Sequence, residues 1–561
     1  MNLNIFSYFF FYFISIFAVV GYGFFFSQIT NQEKISSNFG YSGLMGVFFL
    51  TIYSYISNFF IAHGLIHNSI LIVLGIFLYL IFSFKNLHKI KENYIGILIF
   101  LILFISVLIF KTHDDFPYYH FAYSYYLTQS SSYIGIGPFN HGFRTPSSIF
   151  YLNSLFYLPH IKYYLFHMPA ILIMGFTNII LLKKITQNIK KNSINFITFF
   201  SLLSLLFIDI FFYRISEHGT DRSAQILIFI LIIEILLLIN FSTDKKDKLV
   251  KVYILIALII SFKAFYILYL IFFLPILFLY YDKQNKLKIF EIIKNKFFIF
   301  FLVLVFLIII TNLFNSGCLL YPITFTCFDN LAWSFESDQV QHMSRWYELW
   351  SKAGAGPNFR VEGQIHYITY FNWVPNWFDE YFFNKVSDLL VGLFVLSLIV
   401  FLTFYSKLNK INPIKNKFLI IYFLLIILFL EWFYNHPALR YGGYCLFASL
   451  IFLPLSNILS KNFQVNGKHT KNKFYILVII AYIIFLGRNV DRINKEMNVY
   501  QYSPLKETYY KFNDHHLRIQ KEFNLLIDNF NNCKSQNKNC SKKLMPKIQQ
   551  LYGKYMFVND Q

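Results

Sequence analysis

Apolar residues form long continuous runs along almost the whole chain, and short polar, lysine-rich segments separate the runs. Runs of about 17–25 apolar residues are long enough to cross a bilayer as helices. A β-barrel would instead show short segments of alternating polarity. The pattern predicts an all-α, polytopic integral membrane protein with about fourteen transmembrane helices. They begin near Ile5, Tyr41, Asn68, Tyr94, Tyr163, Ile194, Ser223, Leu249, Ala264, Phe297, Leu389, Phe418, Tyr444 and Phe474.

Composition supports this class, because only 14% of residues are charged, whereas soluble domains carry about 25%. The net charge of +21 does not indicate a nucleic-acid partner. The lysines lie between the apolar runs, which is the positive-inside pattern of membrane proteins. The first run lacks a basic start and a small-residue cleavage site, so we interpret it as a retained helix rather than a signal peptide.

The positive-inside rule also predicts which side of the membrane each loop faces. The lysine-rich loops are expected inside, and the outer segments are then 112–159, 213–222, 315–388, 435–443 and the tail after Gly487. We predict three regions: N-terminal helices 1–93, a transmembrane core 94–487 with outer loops 112–159 and 315–388, and an outer tail 488–561. The tail is expected to form a small outer subdomain.

All nine arginines fall on the predicted outer side, where the positive-inside rule alone would exclude them. Arginine binds phosphate or carboxylate with a planar, two-pronged donor set that lysine lacks. This placement favours an outward-facing anion site. The alternative is that some arginines form salt bridges among the outer loops, as expected for Arg488, Arg492 and Arg518 in the tail.

The cysteines agree with the predicted sides of the membrane. Cys318 and Cys327 lie in the long outer loop, and Cys533 and Cys540 lie in the tail. Close pairs of cysteines on an outer face predict two disulfides, Cys318–Cys327 and Cys533–Cys540. Cys445 lies in an apolar helix and is expected to be a buried free thiol.

An acidic pair follows the fourth predicted span in the stretch KTHDDFPYYHFAYSYYL, where Asp114 and Asp115 lie between His113 and His120. One interpretation is structural, with Asp115 capping a helix that Pro117 opens. The other is catalytic, with one aspartate as a general base or with the pair holding a divalent ion. A cap explains one aspartate only, so we favour the catalytic interpretation for Asp114 and Asp115.

Three further outer motifs carry polar residues at membrane boundaries, where ionisable groups are costly unless they pair or function. They are GIGPFNHGFRTPSS, which a short amphipathic helix follows, YRISEHGTDRSAQ, and EWFYNHPALRYGGY. The helix, from about Pro146, is too short to span the membrane and is expected to be re-entrant or interfacial. The alternatives are loop hydrogen bonds and structural ion pairs. Together with the flanking histidines, the predicted substrate- or phosphate-binding residues are His113, His120, Asn140, His141, Arg144, Arg214, Glu217, His218, Arg222, His436 and Arg440. Outer-loop tryptophans could stack on sugar rings, although Trp373 and Trp377 are expected to be interfacial anchors.

The HDD motif in the first large outer loop, the segment after it and the many-spanned core resemble the GT-C superfamily of polytopic membrane glycosyltransferases. The stretches NHGFRTPSSIFYLNSLF and NHPALRYGGY also resemble bacterial membrane proteins grouped with that superfamily. The likeness covers residues 94–488. It implies a GT-C-like core and transfer of a sugar from a polyprenyl-phosphate-linked donor to an envelope glycan, lipid or protein.

The resemblance also implies roles for individual residues. Asp114 or Asp115 would be the essential carboxylate, and outer arginines such as Arg144, Arg222 and Arg440 would hold the donor phosphate. No cofactor is certain, and a divalent metal, Mg²⁺ or Mn²⁺, bound by Asp114 and Asp115 remains open. The expected location is a bacterial inner membrane with the active face in the periplasm. The expected partners are the lipid-linked sugar donor and membrane lipids.

Two other functions stay open at this point. An O-antigen polymerase or ligase acting on undecaprenyl diphosphate glycans would depend on residues such as His342, Arg345 or His436. A transporter or flippase would carry inverted repeats and polar residues near the bilayer midplane. No clear repeat is visible, although Glu234 and Lys263 lie within or between apolar runs.

Overall fold

The structure is a computed structural model, and it describes residues 5–36, 38–85, 90–217, 219–240, 245–281, 294–356, 360–405, 418–461, 467–506, 510–535 and 547–559. These residues are mostly helical, with one antiparallel hairpin near the end. The α-helices are α1 Ile5–Ile29, α2 Glu33–Ser36, α3 Phe39–Phe60, α4 Leu65–Lys85, α5 Ile90–Leu103, α6 Phe121–Gln129, α7 Ser148–Ser154, α8 Met168–Lys190, α9 Phe196–Phe211, α10 Gly219–Asn240, α11 Lys245–Phe262, α12 Leu274–Tyr281, α13 Lys296–Ser316, α14 Ser337–Ser351, α15 Gln364–Ile368, α16 Val374–Trp377, α17 Ser387–Phe404, α18 Phe418–Asn435, α19 Gly443–Lys461, α20 Gly467–Tyr500 and α21 Arg518–Ser535. The strands are β1 Lys547–Leu551 and β2 Lys554–Val558.

Among the described residues, ten helical segments are long and apolar enough to cross a membrane. They contain α1, α3, α4, α8, α10, α13, α16–α17, α18, α19 and most of α20. Three other apolar helices, Asn93–Ser106, Phe196–Phe211 and Ala264–Leu277, are shorter. The remaining predicted span, expected to begin near Leu249, corresponds to α11, whose first turn is charged. The predicted helical character is confirmed, and ten described segments could cross a membrane by length and composition. The count of fourteen spans and the GT-C-like core stay predictions.

Helices α8 and α10 form the centre of the bundle. In the candidate spans that contain them, 94% and 89% of the apolar window is buried, against 22% for α4 and for α13. Helix α10 packs against α8 on one side and α11 on another. The exposed apolar faces of α4 and α13 are the surfaces that suit contact with lipid.

Glycines bring the N-terminal helices α1, α3 and α4 close together. A Cβ added at Gly46 of α3 would lie 1.9 Å from the carbonyl oxygen of Val19 in α1. One added at Gly21 of α1 would lie 1.9 Å from the carbonyl oxygen of Gly75 in α4. Small residues at helix contacts let membrane helices approach closely. The three helices therefore pack as one unit, which joins the core where α3 contacts α8.

A buried charge network ties this unit to the central helices. Glu234 of α10 is fully buried, with Lys184 Nζ of α8 at 2.8 Å and Lys251 Nζ of α11 at 3.7 Å. The hydroxyl of Tyr41 in α3 donates to the same carboxylate at 2.5 Å. Since an unpaired charge in a helix bundle is costly, Glu234 fixes the packing of four helices.

The end of the first outer loop forms the short helix predicted from about Pro146. That helix was expected to be re-entrant or interfacial, and every residue of α7 is buried, which argues against a position at the interface. The hydroxyls at its two ends bind neighbours, Ser148 with Tyr55 at 2.9 Å and Ser154 with His63 at 2.7 Å. Its polar positions therefore serve hydrogen bonds inside the bundle.

The long outer loop is stabilised by one disulfide and two buried tryptophans. The predicted Cys318–Cys327 disulfide is confirmed, and Cys445 is a buried free thiol as expected. The second predicted pair includes Cys540, which lies outside the described residues. Trp373 and Trp377 are 0% and 2% exposed, so the prediction that they are interfacial anchors was wrong. The indole N–H of Trp377 donates to the carbonyl of Pro437 at 3.0 Å.

The C-terminal tail packs directly on the first outer loop. Strand β2 pairs with β1 and also contacts Ile134, whose N–H donates to the carbonyl of Tyr555 at 3.0 Å. The N–H of Phe557 donates to the carbonyl of Ile134 at 2.9 Å. The tail was expected to form a small outer subdomain, and these bonds attach it to the first outer loop.

The buried network around Glu234 predicts a large effect of a small change. Glu234→Gln keeps the side-chain volume but leaves Lys184 and Lys251 without a carboxylate. Breaking a buried pair costs about 3–5 kcal/mol, so the melting temperature of the purified protein should fall by several degrees. Asp491→Asn is the control, because its pair with Lys495 is 62% and 73% exposed. Equal melting temperatures for Glu234→Gln and wild type would contradict this role.

Candidate functional site

Asp115 lies at the start of a π-helical turn, Phe116–His120, that leads into α6. Pro117 suits the first turn of a helix, and Asp115 occupies the N-cap position, yet its side chain makes no capping hydrogen bond. Its Oδ2 atom lies instead 3.4 Å from Nη1 of Arg440. Asp114 is exposed and, within the described part of the chain, forms no hydrogen bond or ion pair. The two aspartates therefore have different surroundings, and helix capping does not explain Asp115.

A second carboxylate reaches Arg440 from the first turn of α10. Oδ2 of Asp221 lies 4.0 Å from Nε of Arg440, and Oδ1 of Asp221 pairs with the ammonium group of Lys263. Lys263 follows α11 in an extended conformation, just before the 3-10 helix Ala264–Phe273. We call Asp115, Asp221, Lys263 and Arg440 the four-charge cluster. Its members come from four separate segments of the chain.

The loop that carries Arg440 is held in place by α10 and α14. Gln225, one turn after Asp221, donates to the carbonyl of Arg440 at 3.1 Å and accepts from the N–H of Cys445 at 3.1 Å. On the other side, the Arg440 guanidinium lies 4.2 Å from the ring centroid of Trp350 in α14. Such cation–π contacts are favourable and orient the guanidinium plane. The position of Arg440 is thus fixed before any ligand binds.

Electrostatics favour the ionised form of Asp115. Burial alone would raise the pKa of its carboxyl group, but nearby positive charge, above all that of Arg440, outweighs burial and holds the pKa below its ordinary value. Opposite charges 4 Å apart attract by about 4 kcal/mol at an effective dielectric constant near 20. The cluster therefore has two negative and two positive groups, and its formal charge is zero.

Three nearby histidines are neutral at pH 7. Burial lowers the pKa of His120 to about 3 and that of His436 to about 4, and it also lowers the pKa of His141. His436 Nδ1 lies 3.2 Å from the hydroxyl of Ser351 in α14. His113 accepts a hydrogen bond from the N–H of Asp115 at 3.1 Å, through Nδ1. These histidines can donate or accept hydrogen bonds, but His120, His141 and His436 add no positive charge.

Arg144 supplies a positive charge that the cluster itself lacks. Its Nη1 donates to the hydroxyl of Tyr321 at 2.6 Å, its Nε donates to the carbonyl of Gly137 at 3.3 Å, and its guanidinium lies 4.2 Å from the ring centroid of Phe335. Among the described residues none of its partners is a carboxylate. The pKa of the neighbouring His141 responds to both Arg144 and Arg440, so both guanidinium groups lie near His141.

Four of the remaining predicted residues, Arg214, Glu217, Arg222 and Asn140, have hydrogen-bond or ion-pair partners outside the four-charge cluster. Arg214 forms a two-pronged ion pair with Glu217, and Nη1 of Arg222 donates to the carbonyl of Arg214 at 3.3 Å. Asn140 holds the backbone of its own loop, accepting from the N–H of Gly142 at 2.8 Å. His218 lies outside the described residues. The structure thus brings Asp115, His113, His120, His141 and Arg440 together, with Arg144 beside them.

The surroundings of Asp115 do not fit a divalent metal. Within the described residues, no group of three or more His, Cys, Asp or Glu side chains is placed to hold one. The Asp115 carboxylate faces Arg440, whose positive charge opposes binding of a cation.

Three contributors to the site were not among the predicted site residues: Asp221, Lys263 and Trp350. The sequence contained one signal for Lys263. It lies between the spans predicted to begin near Leu249 and Ala264, at a turn expected outside, where the positive-inside rule disfavours lysine. Asp221 was visible in the charged hairpin but was not assigned. Nothing in the sequence alone singles out Trp350 from the other tryptophans of the long loop.

Comparison with known proteins gives a family and no established activity. A family model described as a domain of unknown function, DUF8201, matches residues 5–447. Neither the curated proteins nor the solved structures contain a match to the chain.

Removing the charge of Arg440 should change the titration of Asp115. Arg440 is the strongest of the charges that lower this pKa, so Arg440→Gln should raise it, whereas Arg440→Lys should largely preserve it. The ionised Asp115 carboxylate stabilises the folded protein at pH values above its unfolded pKa of about 3.9. In wild type this contribution is lost only as pH falls through the lower pKa of the folded state. In Arg440→Gln the contribution should be lost at a higher pH.

Carboxyl labelling at Asp115, followed by mass spectrometry from pH 2 to 8, measures this midpoint. An unchanged Asp115 midpoint in Arg440→Gln would show that the two groups are not coupled.

Proposed function

The chain belongs to the DUF8201 family, and we propose that it is a GT-C-like membrane glycosyltransferase. It would move a sugar from a polyprenyl-phosphate-linked donor to an envelope glycan, lipid or protein acceptor. The observation that carries this proposal is the convergence of Asp115, Asp221, Lys263 and Arg440 beside Arg144. Ionisable groups at a membrane boundary are costly and mark functional sites.

The proposal includes a sidedness for the site. Asp221 lies in the first turn of α10 and Glu234 lies thirteen residues later, which corresponds to about 20 Å along a helix. The lysine-rich loops adjoin the Glu234 end, so the positive-inside rule places that end in the cytoplasm. With the shorter helices and α11 counted as spans, the chain crosses fourteen times, and the four-charge cluster faces the periplasm of a bacterial inner membrane.

Asp115 is the proposed general base. Its ionised carboxylate takes the proton of an acceptor hydroxyl, whose oxygen attacks the anomeric carbon of the donor sugar. The bond from that carbon to the phosphate oxygen breaks, and the lipid phosphate leaves with the bonding electron pair. One displacement of this kind inverts the anomeric centre. Asp221 would keep Lys263 and Arg440 in place during the step.

The charge balance suggests where the phosphate binds. Arg440 and Lys263 are already compensated by two carboxylates, whereas Arg144 is held only by a hydroxyl, a carbonyl and an aromatic ring. A planar guanidinium fixed in this way suits a phosphate. We assign the donor phosphate to Arg144, with Arg440 also near His141.

Aromatic rings near these groups suit a sugar. Trp350 and Tyr347 lie on α14, with Trp350 over Arg440 and Tyr347 beside His141, at 6.4 Å between ring centroids. Tyr441 lies next to Trp350, at 6.3 Å between centroids. Aromatic faces present apolar surface with a polar edge, so α14 would cover the sugar and limit access of water.

The two aspartates provide a matched test of the proposal. Asp115→Asn should lower sugar transfer by about 10²–10⁴-fold, the usual contribution of a general base. Asp114→Asn changes the same side chain one residue earlier, at an exposed position, and should stay near wild type. The assay follows the mass of the surface glycan or glycolipid in membranes of the source organism, with insertion of each variant verified.

Normal transfer by Asp115→Asn, or an equal loss in both variants, would contradict the proposed role of Asp115. Loss of activity only in His342, Arg345 or His436 variants would instead favour the polymerase or ligase alternative.

A further inference from the structure

The C-terminal tail lies beyond the part of the chain that the family model matches, residues 5–447, yet it contacts the segment that leads to Asp115. Helix α20 continues past its apolar part to Tyr500. Its last turns carry Arg492 and Glu496, which are both 7% exposed and pair at 3.3 Å. This ion pair faces residues 105–110, where the helical segment before Asp115 ends.

The pair satisfies backbone groups that the ending helix leaves open. Nη2 of Arg492 donates to the carbonyl of Leu108 at 2.9 Å and to that of Ile105 at 3.3 Å. Glu496 Oε2 accepts from the N–H of Phe110 at 2.9 Å. Carbonyls at a helix C-terminus need such partners, and a cation there is favourable. Arg492 thus binds the carbonyls, and Glu496 binds the N–H of Phe110, two residues after Leu108.

The N–H, the carbonyl and the ring of Phe110 all contact residues of the tail. Its carbonyl accepts from the N–H of Lys511 at 2.9 Å. Its ring packs against Tyr500 and Tyr502, at 5.2 and 5.0 Å between centroids. Asp115 follows only five residues later, so any shift of Phe110 is passed on to it.

The tail also holds the chain directly after Asp115. The ring of Phe116 is 5.1 Å from that of Tyr510 and 6.1 Å from that of His516. Both sides of the short segment 111–115 are therefore fixed by residues of the tail. Within that segment the Asp115 carboxylate makes its contact with Arg440 at 3.4 Å.

We propose that Arg492 and Glu496 are positioning residues, which hold the Phe110 end of this segment so that the Asp115 carboxylate faces Arg440. The inference rests on the proposed function in so far as it concerns catalysis. Catalytic groups must be held within about 0.5 Å of their productive position, and displacement by about 1 Å can cost 10²-fold in rate. The C-terminal region of the chain is then part of the site that the matched region contains.

Charge and hydrogen bonding can be separated at Glu496. Glu496→Gln keeps an oxygen that accepts from Phe110, whereas Glu496→Ala removes both the acceptor and the charge. We expect kcat to fall by about 10- to 100-fold in Glu496→Ala and less in Glu496→Gln, with KM for the lipid-linked donor nearly unchanged. Arg492→Lys should retain more activity than Arg492→Ala.

The same helix offers a matched control. Asp491 and Lys495 form an ion pair with the same separation of four residues in the sequence, at 2.8 Å between charged atoms, but they are exposed. Asp491→Ala and Lys495→Ala should leave kcat and KM at wild-type values. The proposal would be overturned if the activity of the Glu496 variants fell only in proportion to the loss of folded protein.

A second readout does not depend on sugar transfer. Carboxyl labelling of Asp115 against pH reports its contact with Arg440, and Glu496→Ala should shift the midpoint in the direction expected for Arg440→Gln. If wild type transfers no sugar, the proposed function fails, and the labelling midpoint alone decides the positioning role. A midpoint equal to wild type in a folded Glu496→Ala protein would refute that role.

Discussion

Arg440 lies between two carboxylates, Asp115 and Asp221, that come from distant segments of the chain. Partial burial of each carboxylate costs desolvation free energy, and the same guanidinium stabilises both carboxylates. Lys263 completes the balance, so that the first outer loop, α10, the end of α11 and the loop before α19 have to meet at one point. The geometry of the candidate site depends on this shared pairing.

Charge pairing also operates at the other end of α10, with a different purpose. Glu234 is fully buried between two lysines and Tyr41, and it joins four helices. The four-charge cluster is more exposed and lies beside Arg144, which has no carboxylate partner among the described residues. A buried, balanced network stabilises packing, whereas a balanced cluster next to such a guanidinium suits binding of an anion. The two ends of one helix thus serve packing and, in our proposal, chemistry.

The sequence predicted much of the helical architecture because long apolar runs have few other structures in a membrane. It also predicted the neighbourhood of Asp115 and the Cys318–Cys327 disulfide. It could not choose between Asp114 and Asp115, since the partner that distinguishes them, Arg440, is distant in sequence. The same limit hid the role of Trp350. Trp373 and Trp377 were misplaced because aromatic residues suit both an interface and a core.

Binding of polyprenyl phosphate to the purified protein tests the central claim most directly, with the unphosphorylated polyprenol as reference. We expect wild type to bind the phosphate at least about tenfold more tightly, or about 1.4 kcal/mol. Arg144→Gln should lose that preference, and Arg360→Gln, at an exposed arginine of the long outer loop, should keep it. Equal affinity of wild type for the two lipids, or an undiminished preference in Arg144→Gln, would contradict a lipid-phosphate site at this cluster.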